Sequence, residues 1–241
     1  MAALVDTTAV ILAGGLGTRL RSVVGDRPKV LAETFGRPFL SHLLDQLKSA
    51  GIRTAVLCTG YLGAQVQAAF GNRYGNLALQ YSQESRPLGT GGALRSVLSL
   101  CGSDPILVLN GDSFLDVDFD GLWNYHHAHA ARATLALVRL SDTRRFGRVT
   151  FAEEGHVLAF QEKGARHGPG WINAGIYLLS RRLLSTIPLA RPISLERESF
   201  PAWIGAGLYG YPCQGRFLDI GTPESYAAAN EFFARLAGLA L

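Results

Sequence analysis

Residues 9–20 read Ala-Val-Ile-Leu-Ala-Gly-Gly-Leu-Gly-Thr-Arg-Leu, and Arg-Pro-Lys follows at residues 27–29. The apolar run predicts a buried strand, and the glycines predict a loop that presents backbone N–H groups to an anion. The loop fits neither familiar phosphate motif: Leu20 stands where a dinucleotide fingerprint needs glycine, and no Gly-Lys-Ser/Thr follows. The two cations beside it, Arg19 and Lys29, favour a polyphosphate ligand.

Short apolar runs alternate with helical patterns through the first half of the chain. The runs are continuous rather than alternating, which is typical of a parallel sheet covered on both faces. Gly51 directly follows the helix predicted at 38–50, at the position where helices commonly have a glycine. Strands are predicted at 9–12, 54–59, 77–82 and 106–110, and helices at 38–50, 62–70 and 93–100.

The pattern changes after about residue 130, where strand-like segments come closer together. A closing helix is predicted at 222–236, with Thr222 as N-cap and Pro223 at its first position. We expect a single domain over residues 1–241, with about 1–130 forming a nucleotide-binding half and about 131–241 a β-rich half that completes a pocket. Strands are predicted here at 134–140, 147–151, 157–162, 171–179 and 208–211.

Composition excludes several classes of protein. The chain has 241 residues, a formal net charge of +4 and only 3 cysteines, which argues against a disulfide framework and a cysteine zinc site. The charges are mostly interspersed, so no nucleic-acid partner is expected. We find neither a signal-peptide pattern nor an apolar run of the roughly 18–20 residues that a membrane span needs, and therefore expect a cytoplasmic protein without a membrane partner.

The glycine loop together with Arg27-Pro-Lys29 resembles the signature of the sugar-1-phosphate nucleotidyltransferases. This resemblance extends over nearly the whole chain in further pieces, each at a predicted strand end or loop, where α/β sheets place their ligands. The pieces are Glu84-Ser-Arg-Pro-Leu-Gly-Thr-Gly-Gly-Ala-Leu94, Asn110-Gly-Asp112, Phe146-Gly147, Glu162-Lys163, Asn173-Ala-Gly-Ile-Tyr177 and Phe217-Leu-Asp-Ile-Gly-Thr-Pro223.

The resemblance implies a Rossmann-like (GT-A-like) three-layer α/β sandwich with a mixed, mostly parallel central sheet and a smaller β-rich sugar-binding portion. It also implies the site. Catalytic roles fall to Arg19, Lys29, Asp112 and Asp219, and the two aspartates would hold Mg²⁺. The implied nucleotide-binding residues are Leu12, Gly14, Gly15, Gly17, Thr18, Gln83, Glu84, Gly89 and Thr90. Those for the sugar phosphate are Gly111, Gly147, Glu162, Lys163, Asn173 and Glu196.

The expected reaction is attack by a sugar 1-phosphate oxygen on the α-phosphorus of a nucleoside triphosphate. A phosphate monoester has a second pKa of about 6, so this nucleophile is ionised without a general base. The lack of a Ser-His-Asp or Cys-His constellation is therefore consistent with the activity. Bringing two polyanions together calls for positioning and charge neutralisation.

Glu84 bears on the nucleobase. Relatives that use uracil or thymine typically carry glutamine here, whereas a carboxylate only accepts hydrogen bonds and suits the adjacent N–H donors of guanine. GTP is therefore favoured, although Gln83 next to it is an alternative reader. The short form, with Arg21-Ser-Val-Val and Leu109-Asn-Gly-Asp-Ser, resembles the bacterial heptose 1-phosphate guanylyltransferases of surface polysaccharide synthesis. A mannose- or glucose-1-phosphate enzyme is the close alternative.

Two more distant alternatives stay open. The Asp116-Val-Asp118 motif is typical of nucleotide-sugar-dependent glycosyltransferases, and a nucleotide-sugar sensor without turnover would share the fold. His126 and His129 have a helical spacing that could bind metal, but no matching carboxylate accompanies them, and a solvated helix face is the simpler interpretation. The oligomeric state stays open, and exposed aromatic residues expected in the second half are compatible with a homodimer.

Overall fold

The computed structural model describes residues 4–15, 17–161, 168–189 and 191–239. The strands are β1 (Thr8–Ala13), β2 (Glu33–Thr34), β3 (Arg37–Pro38), β4 (Thr54–Thr59), β5 (Arg73–Tyr74), β6 (Leu77–Gln83), β7 (Ile106–Asn110), β8 (Ser113–Leu115), β9 (Ala133–Leu140), β10 (Arg148–Phe151), β11 (Val157–Gln161), β12 (Gly170–Leu179), β13 (Leu208–Cys213) and β14 (Phe217–Asp219). The helices are α1 (Arg21–Val24), α2 (Phe39–Ser49), α3 (Gly63–Phe70), α4 (Gly89–Val97), α5 (Phe119–Ala128), α6 (Arg181–Ser185), α7 (Phe200–Trp203), α8 (Pro223–Ala227) and α9 (Ala229–Leu236). Single 3-10 turns cover Leu4–Asp6, Lys29–Leu31 and Leu98–Leu100, and Leu195–Ser199 forms a π-helical turn.

One mixed sheet organises the chain, in the order β13-β9-β12-β7-β1-β4-β6-β5. The four central strands β7, β1, β4 and β6 run parallel, while β12 pairs antiparallel with both β7 and β9. The first part of β12 also pairs with β10, which carries β11 at its other side. The carboxyl ends of the parallel strands therefore open along one edge, beside the loops of the second half.

Helices cover both faces of this sheet. Successive residues of β1 point to opposite faces, so Ile11 packs with α2, α5 and α9, whereas Val10 packs with α4, α6 and α7. Many residues of these two apolar layers are completely buried. The predicted three-layer α/β fold with a mixed, mostly parallel sheet is confirmed.

Several predicted elements occur at the expected positions. The strands at 54–59 and 106–110 have the predicted bounds. Helix α2 ends as expected at Gly51, whose φ is +77°. The N–H groups of Gly51 and Ile52 donate to the carbonyls of Lys48 and Leu47, which is the double bond of a Schellman ending.

Other boundaries differ from the prediction. The helix predicted at 93–100 begins at Gly89, and its last residues form a 3-10 turn. The sequence did not indicate its first turn, because glycine has a low helix propensity. The closing helix predicted over 222–236 is interrupted at Ala228, giving α8 and α9. Its start is as predicted: the Thr222 hydroxyl accepts from the N–H of Ser225 at 3.3 Å. Short strands such as β8 and β14 were not anticipated, since three residues carry little periodicity.

The three cysteines, Cys58, Cys101 and Cys213, are free and buried, as expected for a chain without disulfides. Within the described ranges, no helix is both long and apolar enough to cross a membrane. Trp123 and Trp203 belong to the core, at 8% and 5% exposure.

Candidate active site

A cleft of about 740 Å³ lies at the carboxyl ends of the parallel strands. Its lining draws on both halves of the chain, from the glycine loop after β1 to the end of β14. Most of the residues implicated by sequence meet here. They are Leu12, Gly14, Gly15, Arg19, Lys29, Glu84, Gly89, Thr90, Gly111, Asp112, Gly147, Asn173, Glu196 and Asp219.

The remaining implicated residues are placed differently. Within the described part of the chain, Gly17, Thr18 and Gln83 are not among the residues that line the cleft. Gly17 instead accepts from the N–H of Leu20 and so forms the turn that leads into α1. The Gln83 side chain packs toward the first residue of α3. The two other predicted sugar-site residues, Glu162 and Lys163, lie outside the described residues.

Asp112 and Asp219, which are 107 positions apart in the sequence, are neighbours in the structure. The antiparallel pair β8–β14 places Asp219 opposite Ser113, and the N–H of Ile220 donates to the Asp112 carbonyl at 2.9 Å. This short ladder explains how two separate segments bring their carboxylates to one point. Backbone pairing therefore places the two aspartates side by side, close enough for the charge of Asp112 to act on Asp219.

Each of these carboxylates has its own cation. Lys29 Nζ lies 2.7 Å from Asp112 Oδ2, and the lysine side chain is only 11% exposed. Arg145 Nη2 donates to Asp219 Oδ1 at 2.9 Å, and this arginine side chain is 45% exposed. Arg145 lines the cleft but was missed from the sequence, although it directly precedes the Phe146-Gly147 piece. Its position next to a segment that carries the family resemblance could have pointed to it.

Gly111 has a steric reason to be glycine. Its N–H donates to the Leu12 carbonyl at 2.9 Å, which fastens the end of β7 to the end of β1. A Cβ at this position would lie 2.7 Å from the same carbonyl oxygen, closer than real Cβ atoms come. The absence of a side chain therefore lets the segment that carries Asp112 lie directly against the glycine loop.

The two carboxylates fit a magnesium ion. Burial raises the pKa of Asp219 above its usual value, and the charge of Asp112 raises it further, while Lys29 and Arg145 offset only part of this. A cation shared by both oxygens would stabilise the ionised pair. Magnesium commonly uses one or two carboxylates and takes its other ligands from water and phosphate. Among the described residues no group of three or more His, Cys, Asp or Glu could hold a metal, so phosphate oxygens would have to complete this site.

A segment of the second half packs against the glycine-rich start of α4. Gly91 N–H donates to the Ile193 carbonyl at 2.8 Å, and a Cβ on Gly89 would lie 2.5 Å from that oxygen. Thr90 Oγ1 donates to Glu196 Oε2 at 3.3 Å. Glu196, implicated in sugar binding, is thus joined to the loop implicated in nucleotide binding. At this turn the glycines permit close contact between the two halves.

Glu84 borders the cleft just before α4 and accepts from the N–H of Leu88 at 3.0 Å through Oε2. Burial raises the pKa of this carboxyl. A ligand that donates hydrogen bonds to its other oxygen would favour the ionised form. The Glu84 carboxyl thus lies at the edge of the cleft with one oxygen bonded to the backbone.

Two hydrogen bonds to neighbouring groups fix the Asn173 side chain. Its Nδ2 donates to the hydroxyl of the fully buried Tyr177 at 2.8 Å, and its Oδ1 accepts from the N–H of Gly175 at 3.0 Å. The side chain can offer a ligand only its second N–H and its remaining lone pair. Asn110, at the end of β7, has a buried Oδ1 without a hydrogen-bond partner in the structure, directly under this part of the cleft.

Two further sequence features have structural roles. Asp118 accepts from the N–H of Gly121 and is the N-cap of α5, so this member of the Asp116-Val-Asp118 motif serves the helix. His126 is buried rather than solvated, which corrects the expectation of an exposed helix face for this residue. It bonds to Thr134 Oγ1 at 2.8 Å, and burial lowers its pKa to about 4.

A family model described as nucleotidyl transferase matches residues 8–235. The chain belongs to the nucleotidyl transferase family. The resemblance seen in the sequence is thereby confirmed, and the enzymatic class with it. A family whose members handle nucleotides accounts for a cleft that combines a glycine loop, paired carboxylates and several cations.

Individual relatives carry more specific names. A mannose-1-phosphate guanylyltransferase of Mycobacterium tuberculosis is 40% identical over 231 residues, which cover 94% of this chain and 64% of that protein. A D-glycero-alpha-D-manno-heptose 1-phosphate guanylyltransferase of Aneurinibacillus thermoaerophilus is 35% identical over 92% of this chain and 96% of its own length. The chain thus spans slightly less than two thirds of the mycobacterial relative.

Solved structures of similar proteins have the same fold as this chain. The crystal structure of HddC from Yersinia pseudotuberculosis superimposes with a TM-score of 0.85 at 32% identity, over 94% of this chain and 99% of that one. A second HddC structure, complexed with GMP-PN, has a TM-score of 0.83 at 31% identity. This nucleotidyl transferase therefore shares its fold with a protein that has been seen with a guanine nucleotide.

Proposed function

We propose that this protein transfers GMP from GTP to a sugar 1-phosphate, giving a GDP-sugar and pyrophosphate. The observation that carries the proposal is the meeting of Asp112, Asp219, Lys29 and Arg19 in one cleft at the strand ends. Family membership supports the transfer reaction, and the names of the relatives support both GTP and a sugar phosphate.

A phosphate oxygen of the sugar 1-phosphate attacks the α-phosphorus of GTP, and the bond from that phosphorus to the β-phosphate oxygen breaks as pyrophosphate leaves. Lys29 is proposed to neutralise the α-phosphate and Arg19 the departing phosphates, while Lys163 would bind the sugar phosphate. When bound between Asp112 and Asp219, Mg²⁺ supplies further charge neutralisation at the phosphates. These groups act by position and charge, as phosphoryl transfer requires.

The glycine loop, with Gly14 and Gly15 in the cleft lining, is proposed to bind the triphosphate through its backbone N–H groups. Glu84 is proposed to accept from the two adjacent N–H donors of guanine, because its second oxygen is not engaged by Leu88. In this proposal the first half of the chain binds the nucleotide, and residues after about 131, including Gly147 and Asn173, contact the sugar.

Heptose 1-phosphate is the acceptor proposed first, since two heptose 1-phosphate guanylyltransferases, from Aneurinibacillus and Campylobacter, are each 35% identical to this chain and match it over 96% of their own length. Mannose 1-phosphate is the second candidate, because the mycobacterial relative is 40% identical. A GDP-heptose would serve surface polysaccharide synthesis. We also propose the cytoplasm as its location, which the buried free thiols support. A homodimer stays a prediction.

The test is pyrophosphate release with Mg²⁺, using GTP, ATP, UTP and dTTP against heptose, mannose and glucose 1-phosphate. We expect GTP with heptose 1-phosphate to give the highest kcat/KM. A preference for UTP would contradict the role of Glu84, and a preference for mannose 1-phosphate would favour the second candidate. Binding of GTP without release of pyrophosphate from any pair would favour a sensor.

A further inference from the structure

Arg145 lies on the rim of the cleft, in the loop between β9 and β10. Its Nη2 donates both to Asp219 Oδ1 at 2.9 Å and to the Ser225 hydroxyl at 3.2 Å, where α8 begins. The guanidinium carbon is 5.5 Å from the centre of the Phe146 ring. The side chain is 45% exposed, so water can solvate it when it leaves these partners.

The partner of Arg145 is a carboxylate that the proposed reaction needs for another purpose. Asp219 Oδ1 accepts from Arg145 and also from the N–H of Gly221 at 3.0 Å. A divalent cation between Asp219 and Asp112 would compete with the guanidinium for the same negative charge. Lys29 makes the equivalent contact with Asp112, but its side chain is only 11% exposed and returns to water less easily. Arg145 is thus the cation that can give way at the lower cost.

The side of the cleft implicated in sugar binding is close to Arg145. Arg145 is two residues before Gly147, and both line the cleft on the side implicated in sugar binding. A guanidinium presents a planar fork of N–H donors that matches phosphate oxygens, and its charge cannot be lost near neutral pH. A sugar 1-phosphate brings such a group to this side of the cleft.

We propose, on the basis of the proposed function, that Arg145 exchanges partners during the reaction cycle. It bonds to Asp219 before the divalent cation binds, and it then turns to the phosphate of the sugar 1-phosphate. Arg145 is therefore a binding residue for the sugar phosphate, and it makes the carboxylate available only when another cation takes its place.

Steady-state kinetics test the phosphate contact, with Arg145→Met compared with Arg144→Met as the matched control. Arg144 is the neighbouring arginine; it is exposed and paired with Asp142. With mannose or heptose 1-phosphate, whichever the wild type uses faster, Arg145→Met should raise the KM for the sugar phosphate about tenfold, as loss of a charged hydrogen bond does. The KM for GTP should stay within about twofold. Arg144→Met should behave as the wild type, and an unchanged KM in Arg145→Met would overturn the contact.

Binding of Mn²⁺ without substrates, followed by electron paramagnetic resonance, tests the exchange without relying on turnover. Removing an exposed competitor should make Arg145→Met bind Mn²⁺ about threefold tighter than the wild type, while Arg144→Met should match the wild type. Equal affinities for Arg145→Met and wild type would overturn the exchange. If the wild type releases no pyrophosphate, the proposed function fails, and this measurement still decides the competition at Asp219.

If Arg145→Met does not fold, Arg145→Lys takes its place in both measurements. It retains the charge and loses the planar fork, so we expect a KM for the sugar phosphate about threefold above the wild type. Its Mn²⁺ affinity should lie between those of the wild type and Arg145→Met. A KM and an affinity equal to those of the wild type would overturn the proposal.

Discussion

Asp112 and Asp219 are neighbours across one short ladder, yet their surroundings differ. Asp112 follows a parallel strand of the first half, and its cation, Lys29, is almost completely buried. Asp219 ends a short strand of the second half, and its cation, Arg145, stands half exposed on a loop. The carboxylates show the opposite order, because the Asp219 side chain is 19% exposed and that of Asp112 is 42% exposed.

This difference separates a fixed charge pair from an exchangeable one. A largely buried ammonium without a counter-charge costs free energy, so Lys29 stays inside the cleft beside the anionic groups there, beginning with Asp112. An exposed guanidinium can return to water at little cost, so Arg145 is free to leave Asp219. The first half supplies a permanent positive charge, whereas the second half supplies one that can move to a substrate.

Removal of the Lys29 charge should have the largest effect on turnover. Lys29→Ala should lower kcat for pyrophosphate release by about 100-fold or more, as expected when a preorganised charge is lost from a phosphoryl-transfer site. Lys48→Ala is the matched control, because Lys48 is a surface lysine paired with Asp45. It should retain wild-type turnover. A folded Lys29→Ala variant with near-normal kcat would remove Lys29 from the reaction.

A second prediction concerns stability and contrasts the two carboxylates directly. Asp112→Asn leaves the largely buried Lys29 without its counter-charge and should lower the free energy of unfolding by about 1–2 kcal/mol. Asp219→Asn should leave it unchanged or raise it, because burial and Asp112 disfavour the ionised Asp219, as its raised pKa shows.

The measurement is urea denaturation of both variants near neutral pH with a chelator present. Equal losses of stability in the two variants would mean that Lys29 and Arg145 do not differ as their burial indicates. Both variants should also lose at least about 100-fold in turnover with Mg²⁺, since each removes a proposed ligand of the ion.

The two halves also differ in how far the sequence predicted them. The parallel strands carry continuous apolar runs that predict their bounds, and the family resemblance of short motifs assigned Lys29, Asp112 and also Asp219 to one site. The ladder that joins Asp112 to Asp219 consists of two three-residue strands, β8 and β14. Strands of that length have no periodicity to detect, and their pairing depends on the fold of the whole chain.

Arg145 was missed for a related reason. It is one of two adjacent arginines, and only the structure shows that Arg145 faces Asp219 while Arg144 pairs with Asp142. The contact of Thr90 with Glu196 spans 106 positions and was also beyond reach, because the two loops were implicated separately in nucleotide and sugar binding. Short motifs therefore located the cleft, whereas contacts between motifs required tertiary structure.

The last expected effect concerns stability alone and lies outside the cleft, where α2 of the first half meets α9 of the second. His42 stacks on Phe233 with ring centres 3.6 Å apart, and its nitrogens face the Thr34 carbonyl at 3.1 Å and Arg37 Nη2 at 2.9 Å. These partners fit a neutral ring that donates from Nε2 and accepts at Nδ1. Burial lowers the pKa of His42 from 6.5 to about 4, and Arg37 adds to this.

Because the unfolded chain then binds a proton that the folded chain excludes, His42 weakens the fold as the pH falls from 6.5 toward about 4. At higher pH its contribution is fully present. The free energy of unfolding should fall by up to about 1.4 kcal/mol per pH unit for this group, a slope that His42→Gln should reduce. Urea denaturation of the wild type, His42→Gln and the exposed control His127→Gln at several pH values measures it. If His42→Gln keeps the full wild-type slope, protonation of His42 does not destabilise the contact between α2 and α9.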